Sequence, residues 1–405
     1  MNFSKSFGLV SLATLGLYVG VCMTNASEFL AEEALLEVNA VPYGPLPRAR
    51  ELHASSITEA RDGALLATWF GGKEENDPSI RIWVSRKPVD GGWGQPVVVD
   101  AGVDTRDGKT REYSTWNPVL FTDPATGTIY LWYKITGLGP QPGYRNWWGA
   151  VRTSEDNGET WSERIWLPEV PRDIAVFGPY NYRATGPVKN RPLVLPDGRL
   201  LCGSSTETGE GWRTHFELYQ AGDWTGQAHG VEIVGPIDGR GIQASMVTLS
   251  ADRQWIGAFT RDDGYTTSKD GGATWSPIEK SPVTTSKGFH AVTTANGVHF
   301  LVFNPDESRT PLSLARSLDG ENWETIIVDL QSYEDWSMDY PTIMQAADGS
   351  LHVTHTFGRR YINHLVLDTD YLEGQGTLLD EEVPEGAAPE AAPIEATEEA
   401  SPSEN

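Results

Sequence analysis

Several short stretches of the 405-residue chain carry side chains able to do chemistry. His53, in Glu-Leu-His-Ala-Ser, is an imidazole that can titrate near neutrality and exchange a proton as a general acid or base; a histidine satisfied within a strand is the alternative. Lys189, Asn190 and Arg191 stand together as three donors, suited either to an anionic sugar or to a solvated loop. His215 and Glu217, two positions apart, share one face of a strand as a site or as a simple pair. Aromatic residues crowd two loop-like stretches, Tyr144 with Trp147 and Trp148, and Tyr180 with Tyr182. In loops over a binding mouth such rings serve as stacking platforms for sugars. Fifteen tryptophans, Trp69 among the candidates for substrate contact, reinforce that reading.

Other chemistries are poorly supplied. His352 and His355 have odd spacing, which separates their side chains on a strand, and no Cys/His set forms a zinc site. The stretch from Asp100 to Gly108 could offer oxygens to calcium but lacks the closing Glu of an EF-hand loop. No metal or other cofactor is therefore expected. There is no phosphate-cradling glycine loop and no Gly-x-Ser-x-Gly elbow, which argues against nucleotide chemistry and serine hydrolysis.

The termini differ from the body. Lys5 and the apolar run Phe7 to Val21, followed by Thr-Asn-Ala-Ser, read as a secretory signal peptide over residues 1–26, too short to span a bilayer as a helix. The mature protein is expected to be periplasmic or secreted. A lipid anchor on Cys22 is the rival reading, disfavoured by the bulky Val21 before it. Residues 376–405 form an acidic, Pro/Ala-rich tail with too little apolar surface to offset its ordering entropy. Once signal and tail are set aside, most of the formal charge of −25 remains on the body, which repels nucleic acid and anionic membranes. With Cys22 removed, Cys202 has no partner for an intrachain disulfide. A monomer acting on a glycan is the expectation.

The elements that must position these residues repeat. A turn followed by a short apolar strand recurs six times, beginning at Asp62, Gly127, Asp197, Asp252, Asn296 and Asp348. Each is followed by a second strand, with period-two alternation and β-branched or aromatic residues throughout. Six such modules over 27–375 predict an all-β, six-bladed β-propeller of four-stranded antiparallel blades, an architecture that lets one domain grow this large. Ser154–Trp161 and Ser268–Trp275 share the pattern Ser-x-Asp-x-Gly-x-Thr-Trp, and Ser317–Trp323 is a shortened copy. Its Ser and Asp can bond backbone groups of the turn, its Gly supplies positive φ and its Trp wedges the hairpin against its blade.

This pattern resembles the Asp-box of sialidases and other bacterial neuraminidase-repeat propellers, over nearly all of residues 46–368. The resemblance implies an arginine triad for the substrate carboxylate, an Asp acid/base, and a Tyr nucleophile paired with Glu. Carried over by position, it implies Asp77 as acid/base, Tyr340 as nucleophile, and Arg261 and Arg309 as two of the triad. Two positions depart. Glu51 stands where the first arginine belongs, with Arg48, Arg50, Arg81 or Arg191 as possible replacements, and Gln243 stands where the Glu partner belongs. A neutral amide cannot take the tyrosine's proton.

The implied function is removal of a terminal acidic (sialic-acid-like or uronic) or deoxy sugar from a glycan. Asp77, Tyr340 and His53 are then catalytic, and Arg261, Arg309, Arg191, Gln243, Trp69 and His215 contact substrate. The alternatives are a lyase on uronic-acid polysaccharide using His53 and Tyr340, since some propeller lyases resemble this His/Tyr pairing, and a non-catalytic glycan-binding propeller.

Overall fold

The computed structural model describes residues 34–41, 51–105, 108–136, 147–170, 183–208, 211–333 and 335–374. The segment read as a signal peptide (with Cys22), the acidic tail, Arg48, Arg50, Tyr144, Tyr180 and Tyr182 lie outside them.

Six four-stranded antiparallel sheets stand around a hub, forming an all-β six-bladed propeller. Blade 1 runs outward through Glu51–Glu59, Leu65–Gly72, Arg81–Lys87 and Val97–Asp100. Blade 2 follows with Thr115–Thr122, Ile129–Ile135, Trp148–Ser154 and Ile165–Trp166. Blade 3 comprises Leu193–Val194, Leu200–Thr208, Gly211–Tyr219 and Val231–Val234, and blade 4 Ser245–Thr248, Ile256–Thr260, Gly264–Ser268 and Glu279–Lys280. Blade 5 contains Phe289–Thr293, His299–Phe303, Leu312–Ser317 and Glu324–Gln331. Blade 6 takes Met338–Gln345, Leu351–Phe357 and Tyr361–Leu367 from the C-terminal part and its outermost strand, Leu35–Val41, from the N-terminal part. That last pairing closes the ring through main-chain hydrogen bonds. The apolar strands predicted from the repeats are the second strand of every blade. They pack almost wholly buried, as in Leu65–Gly72 and His299–Phe303.

Innermost strands have an edge facing the next blade, and an unpaired buried N–H there costs about as much as a lost hydrogen bond. Side chains of neighbouring blades fill this need. Ser56 Oγ accepts from Leu120 N (3.1 Å), Ser245 Oγ from Ala291 N (2.8 Å) and His290 Nδ1 from Ile343 N (3.0 Å).

At the rim, the repeated turns act as the sequence pattern predicts. Ser154 Oγ accepts from Gly158 N (2.9 Å), and Asp156 accepts from both N and Oγ1 of Thr160 (2.9 and 2.6 Å). Ser268, Asp270, Gly272 and Thr274 repeat the arrangement, and Ser317, Asp319 and Gly320 a shorter version. The glycines do more than permit φ of +86°, +89° and +75°. A Cβ on Gly158 would lie 2.1 Å from Leu66, one on Gly272 2.7 Å from Leu201, and one on Gly320 2.1 Å from Leu249, each leucine belonging to the preceding blade. Trp275 stacks on Phe216 of blade 3 at 3.8 Å, and Trp323 meets Phe259 of blade 4 edge-on at 5.0 Å. The turn therefore seats blade against blade.

Candidate active site

Most of the inner strands are distorted where they approach the hub. In three blades the ladder slips where a β-bulge sits, at His53–Ser56, Trp116–Val119 and Asp339–Thr342. Bulges re-aim side chains and commonly border active sites. At or just before the inner strands of five blades a non-glycine residue holds positive φ: Ala54 (52°), Asn117 (40°), Lys189 (68°), Gln243 (58°) and Tyr340 (48°). Such conformations cost on the order of 1–3 kcal/mol each and persist where surrounding structure enforces them.

The bends open a cavity of about 330 Å³ to which every blade contributes. Blade 1 and its loops supply His53, Glu75 and Asn76, blade 2 Trp116, Asn117 and Trp147, and blade 3 Glu207 and Trp212. Gln243 and Arg261 come from blade 4, Arg309 from blade 5, and Tyr340 and Arg359 from blade 6. Five residues singled out from the sequence, His53, Gln243, Arg261, Arg309 and Tyr340, thus meet in one place.

Tyr340 is the centre of their contacts. Arg261 Nη1 donates to its hydroxyl (3.3 Å), which leaves the phenolic hydrogen directed elsewhere. The His53 ring meets its edge at 4.2 Å, and the Arg309 guanidinium lies 5.4 Å from its ring centre. Lys189, its ammonium 5.9 Å from the Tyr340 ring centre, is fully buried and donates to the carbonyls of Phe289 (2.7 Å) and Pro341, tying blades 5 and 6 to blade 3. Burial holds its ammonium well below the usual lysine range. His53, 2% exposed, is likewise pushed well below the ordinary imidazole value. Burial is the main cause; Asp339 opposes it, and Arg359, Arg309 and Lys189 add to it. Its ring is neutral at pH 7, and its buried Nδ1 has no hydrogen-bond partner among the described residues.

The three cavity arginines are not equivalent. Arg309 is bound to Asp339, and Arg359 to Glu75 (3.0 Å) and Glu51 (3.6 Å). Arg261 has no carboxylate within 4 Å among the described residues; it bonds Tyr340 and the Ser286 carbonyl (3.4 Å) and lies over the Trp212 ring at 5.8 Å. Trp212 is 38% exposed, an indole presented to solvent at the cavity wall.

Arg359, Glu207 and Trp212 escaped the sequence reading. Arg359 sits in the turn Gly358-Arg359-Arg360, far in sequence from the strand where an arginine was missing, yet its guanidinium reaches Glu51, the residue occupying that place. Only the ring closure between blades 6 and 1 brings the two together. Glu207 and Trp212 face each other across blade 3's middle hairpin, with no motif around them.

Other predicted residues lie elsewhere. Asp77, flanked by cavity residues in sequence, is not among the cavity lining. Its carboxylate accepts from Ser79 N (2.8 Å) and lies 3.8 Å from Lys73, contacts that hold it below the usual carboxylate range, first through Ser79. Trp69 is fully buried with Leu52 and Trp83, with no surface for a sugar. His215 is buried against Glu217 (3.4 Å), whose oxygens also accept from Thr185 N, Gly186 N and Tyr219 Oη, a packing network inside the molecule. Lys189, Asn190 and Arg191 do not form one donor cluster. Asn190 donates to the Gln243 carbonyl (2.6 Å), while Arg191 lines a separate cavity of about 290 Å³ with Phe121, Thr248 and His290. Asp100 is occupied by Arg164, Arg152 and Tyr133 rather than left open to a cation. Among the described residues no group of three or more His, Cys, Asp or Glu is arranged to hold a metal ion. Nor is any described helix long and apolar enough to cross a membrane.

Comparison with known proteins agrees with this architecture. Residues 63–353 match the model of the BNR repeat-like domain. The chain belongs to that family. Among solved structures, a protein of unknown function from Dyadobacter fermentans superposes with a TM-score of 0.64 at 14% identity, over 82% of this chain and 98% of that one. NanB sialidase from Streptococcus pneumoniae follows at 0.59 and 13%, over 79% and 68% of the two chains, and Trypanosoma rangeli sialidase at 0.63 and 13%, over 84% and 59%. At these identities the likeness is one of fold, the sialidase-type propeller. No curated protein matches the chain.

Proposed function

We propose that this BNR-family propeller is an exported glycoside hydrolase that removes a terminal acidic or deoxy sugar from a glycan, with the Tyr340 oxygen attacking the anomeric carbon. The observation that supports it most is the Tyr340 hydroxyl, contacted by Arg261 at 3.3 Å inside a cavity to which six blades contribute. About 330 Å³ lies at the small end of ligand sites (~300–1,000 Å³), room for a terminal unit rather than a length of polymer. Trp212 offers a sugar face a stacking surface, and Arg261 offers a substrate carboxylate the cavity guanidinium that no acid already holds. Gln243 cannot receive the tyrosine's proton, which in this reading passes to water in the open cavity.

His53 favours a second reading. A neutral imidazole lining the cavity beside a tyrosine can remove the C5 proton of a uronic acid while the tyrosine protonates the departing oxygen, leaving an unsaturated sugar.

Incubation with a panel of sialosides, deoxy-sugar glycosides and uronate polysaccharides separates these readings. Hydrolysis releases reducing ends without ultraviolet absorbance, and elimination produces both. Loss of turnover in Tyr340→Phe is expected under either, whereas His53→Ala abolishes only elimination. Saturable binding without turnover across the panel would make the protein a glycan-binding propeller instead.

A further inference from the structure

Hydrolysis requires a proton for the departing glycosidic oxygen, and the resemblance to sialidases implies that Asp77 supplies it. Asp77, however, is engaged with Ser79 and Lys73 outside the cavity lining and is held ionised. The carboxyls that do approach the cavity can be compared one by one. Glu75 is bound to Arg359 at 3.0 Å. Asp339 is bound to Arg309 and accepts from Ser337 Oγ at 2.6 Å. Both are thus already engaged by a guanidinium. Glu207 differs: it lines the cavity, its side-chain contact is to Ser205 Oγ at 3.4 Å, and no Lys or Arg lies within ion-pairing distance of it among the described residues.

Its placement suits the task. Glu207 is at the hub-ward end of Leu200–Thr208, directly opposite Trp212 in the hairpin register, so carboxyl and exposed indole border the same part of the cavity. A sugar resting on that indole would present its glycosidic bond within reach of the acid.

Resting on the hydrolytic reading above, we infer that Glu207 is the acid that protonates the leaving oxygen. The Glu207 O–H proton passes to the glycosidic oxygen as its bond to the anomeric carbon breaks, the aglycone departs as an alcohol, and Glu207 remains a carboxylate. The anomeric carbon is then bonded to the Tyr340 oxygen. Water hydrolyses that bond: its oxygen bonds the anomeric carbon, the proton it sheds returns to Glu207, and the tyrosine oxygen leaves as phenolate and takes back from cavity water the proton it gave up on attack.

The electrostatics agree. Burial pushes the Glu207 carboxyl up to about 7, Arg261 of blade 4 and Ser205 work against this, and Glu75 of blade 1 adds to it. Across the cavity the other titratable or charged groups are neutral His53, Tyr340, and the carboxylate-bound Arg309 and Arg359. Glu207 is therefore protonated below about pH 7 and loses the proton as pH rises through it, so the hydrolytic rate should fall over that limb.

The test uses the full chain and aryl glycosides of acidic and deoxy sugars whose phenols span a wide range of acidity. Glu207→Gln should lose on the order of 10²–10⁴-fold in kcat/KM, which reports the bond-breaking step, on poor leaving groups but under about tenfold on activated ones, and the alkaline limb of kcat/KM should vanish. Near-UV circular dichroism checks the fold. Glu207→Asp, whose carboxyl is one methylene short, should keep the limb at a lower rate. ¹³C-carboxyl NMR of glutamate-labelled protein should show a resonance titrating near pH 7 that Glu207→Gln lacks. A uniform loss across leaving groups, an unchanged limb, or no such resonance overturns the role of Glu207 and leaves hydrolysis standing. A wild type that cleaves none of the glycosides withdraws hydrolysis and this role together.

Discussion

Rim and hub both depend on backbone conformations that most residues avoid, and they obtain them differently. At the rim, positive φ falls on Gly158, Gly272 and Gly320, each pressed against a leucine of the preceding blade. At the hub it falls on Asn117, Lys189, Gln243 and Tyr340, and in the flanking turns on Arg309 and Arg359. Glycine relieves the strain at no cost in sterics but offers no side chain. A chain that accepts left-handed tyrosine, glutamine and arginine is keeping side chains it uses. The left-handed glycines of the rim thus seat blade against blade, while most left-handed side chains of the hub face the cavity, with Ala54 and the blade-tying Lys189 as the exceptions.

Substitutions can break that division. The largest effect is expected from Tyr340→Phe, which removes one oxygen from the hub. Turnover should fall by on the order of 10³-fold or more, equivalent to about 4 kcal/mol in the barrier, while Tm moves little because the ring and its contacts remain. A Tm loss as large as the activity loss would mean the hub is merely structural. The converse experiment is Gly272→Val at the rim. Its Cβ would meet Leu201 at 2.7 Å and its φ of +89° suits no β-branched residue, so a loss of about 2–4 kcal/mol in urea unfolding is expected with kcat per folded molecule unchanged. Arg261→Gln comes next. It deletes the cavity guanidinium that no carboxylate holds, and KM for a carboxylated substrate should rise about 10–50-fold, with a far smaller change for an uncharged deoxy sugar.

What the sequence revealed follows the same line. The second strands of all six blades are visible because they are buried on both faces and bounded by turns, and the rim turn is visible because its Ser, Asp and Thr side chains bond within eight residues. His53, Gln243, Arg261, Arg309 and Tyr340 were nominated in the hub, and they do meet. The inner strands were harder to see. Leu193–Val194 has two residues, and bulges at His53–Ser56 and Asp339–Thr342 interrupt the alternation that marks a strand. Arg359, Glu207 and Trp212 had no local signature at all, because what defines them is ring closure and hairpin register. Trp69 and His215 show the opposite error: a residue type suited to sugar chemistry, on a strand face turned into the core.

The smallest effects sharpen the comparison most, since they concern residues where strain and side-chain use can be told apart. Gln243 has φ of 58° and lines the cavity, while its carbonyl, which any residue would supply, accepts from Asn190. Replacing it by glycine relieves left-handed strain of about 1 kcal/mol, and the added freedom of the unfolded chain returns roughly the same amount. Stability by urea unfolding should therefore change by no more than about 0.5 kcal/mol, whereas kcat/KM should drop several-fold as the amide leaves the site. Asp77→Asn is the matched control one loop away. The amide oxygen can still accept from Ser79 N, so the turn survives, and the activity change should stay within about twofold. If Asp77→Asn instead costs as much as Tyr340→Phe, the loop carrying Glu75, Asn76 and Asp77 must swing inward when substrate binds. The acid would then belong to blade 1 rather than blade 3.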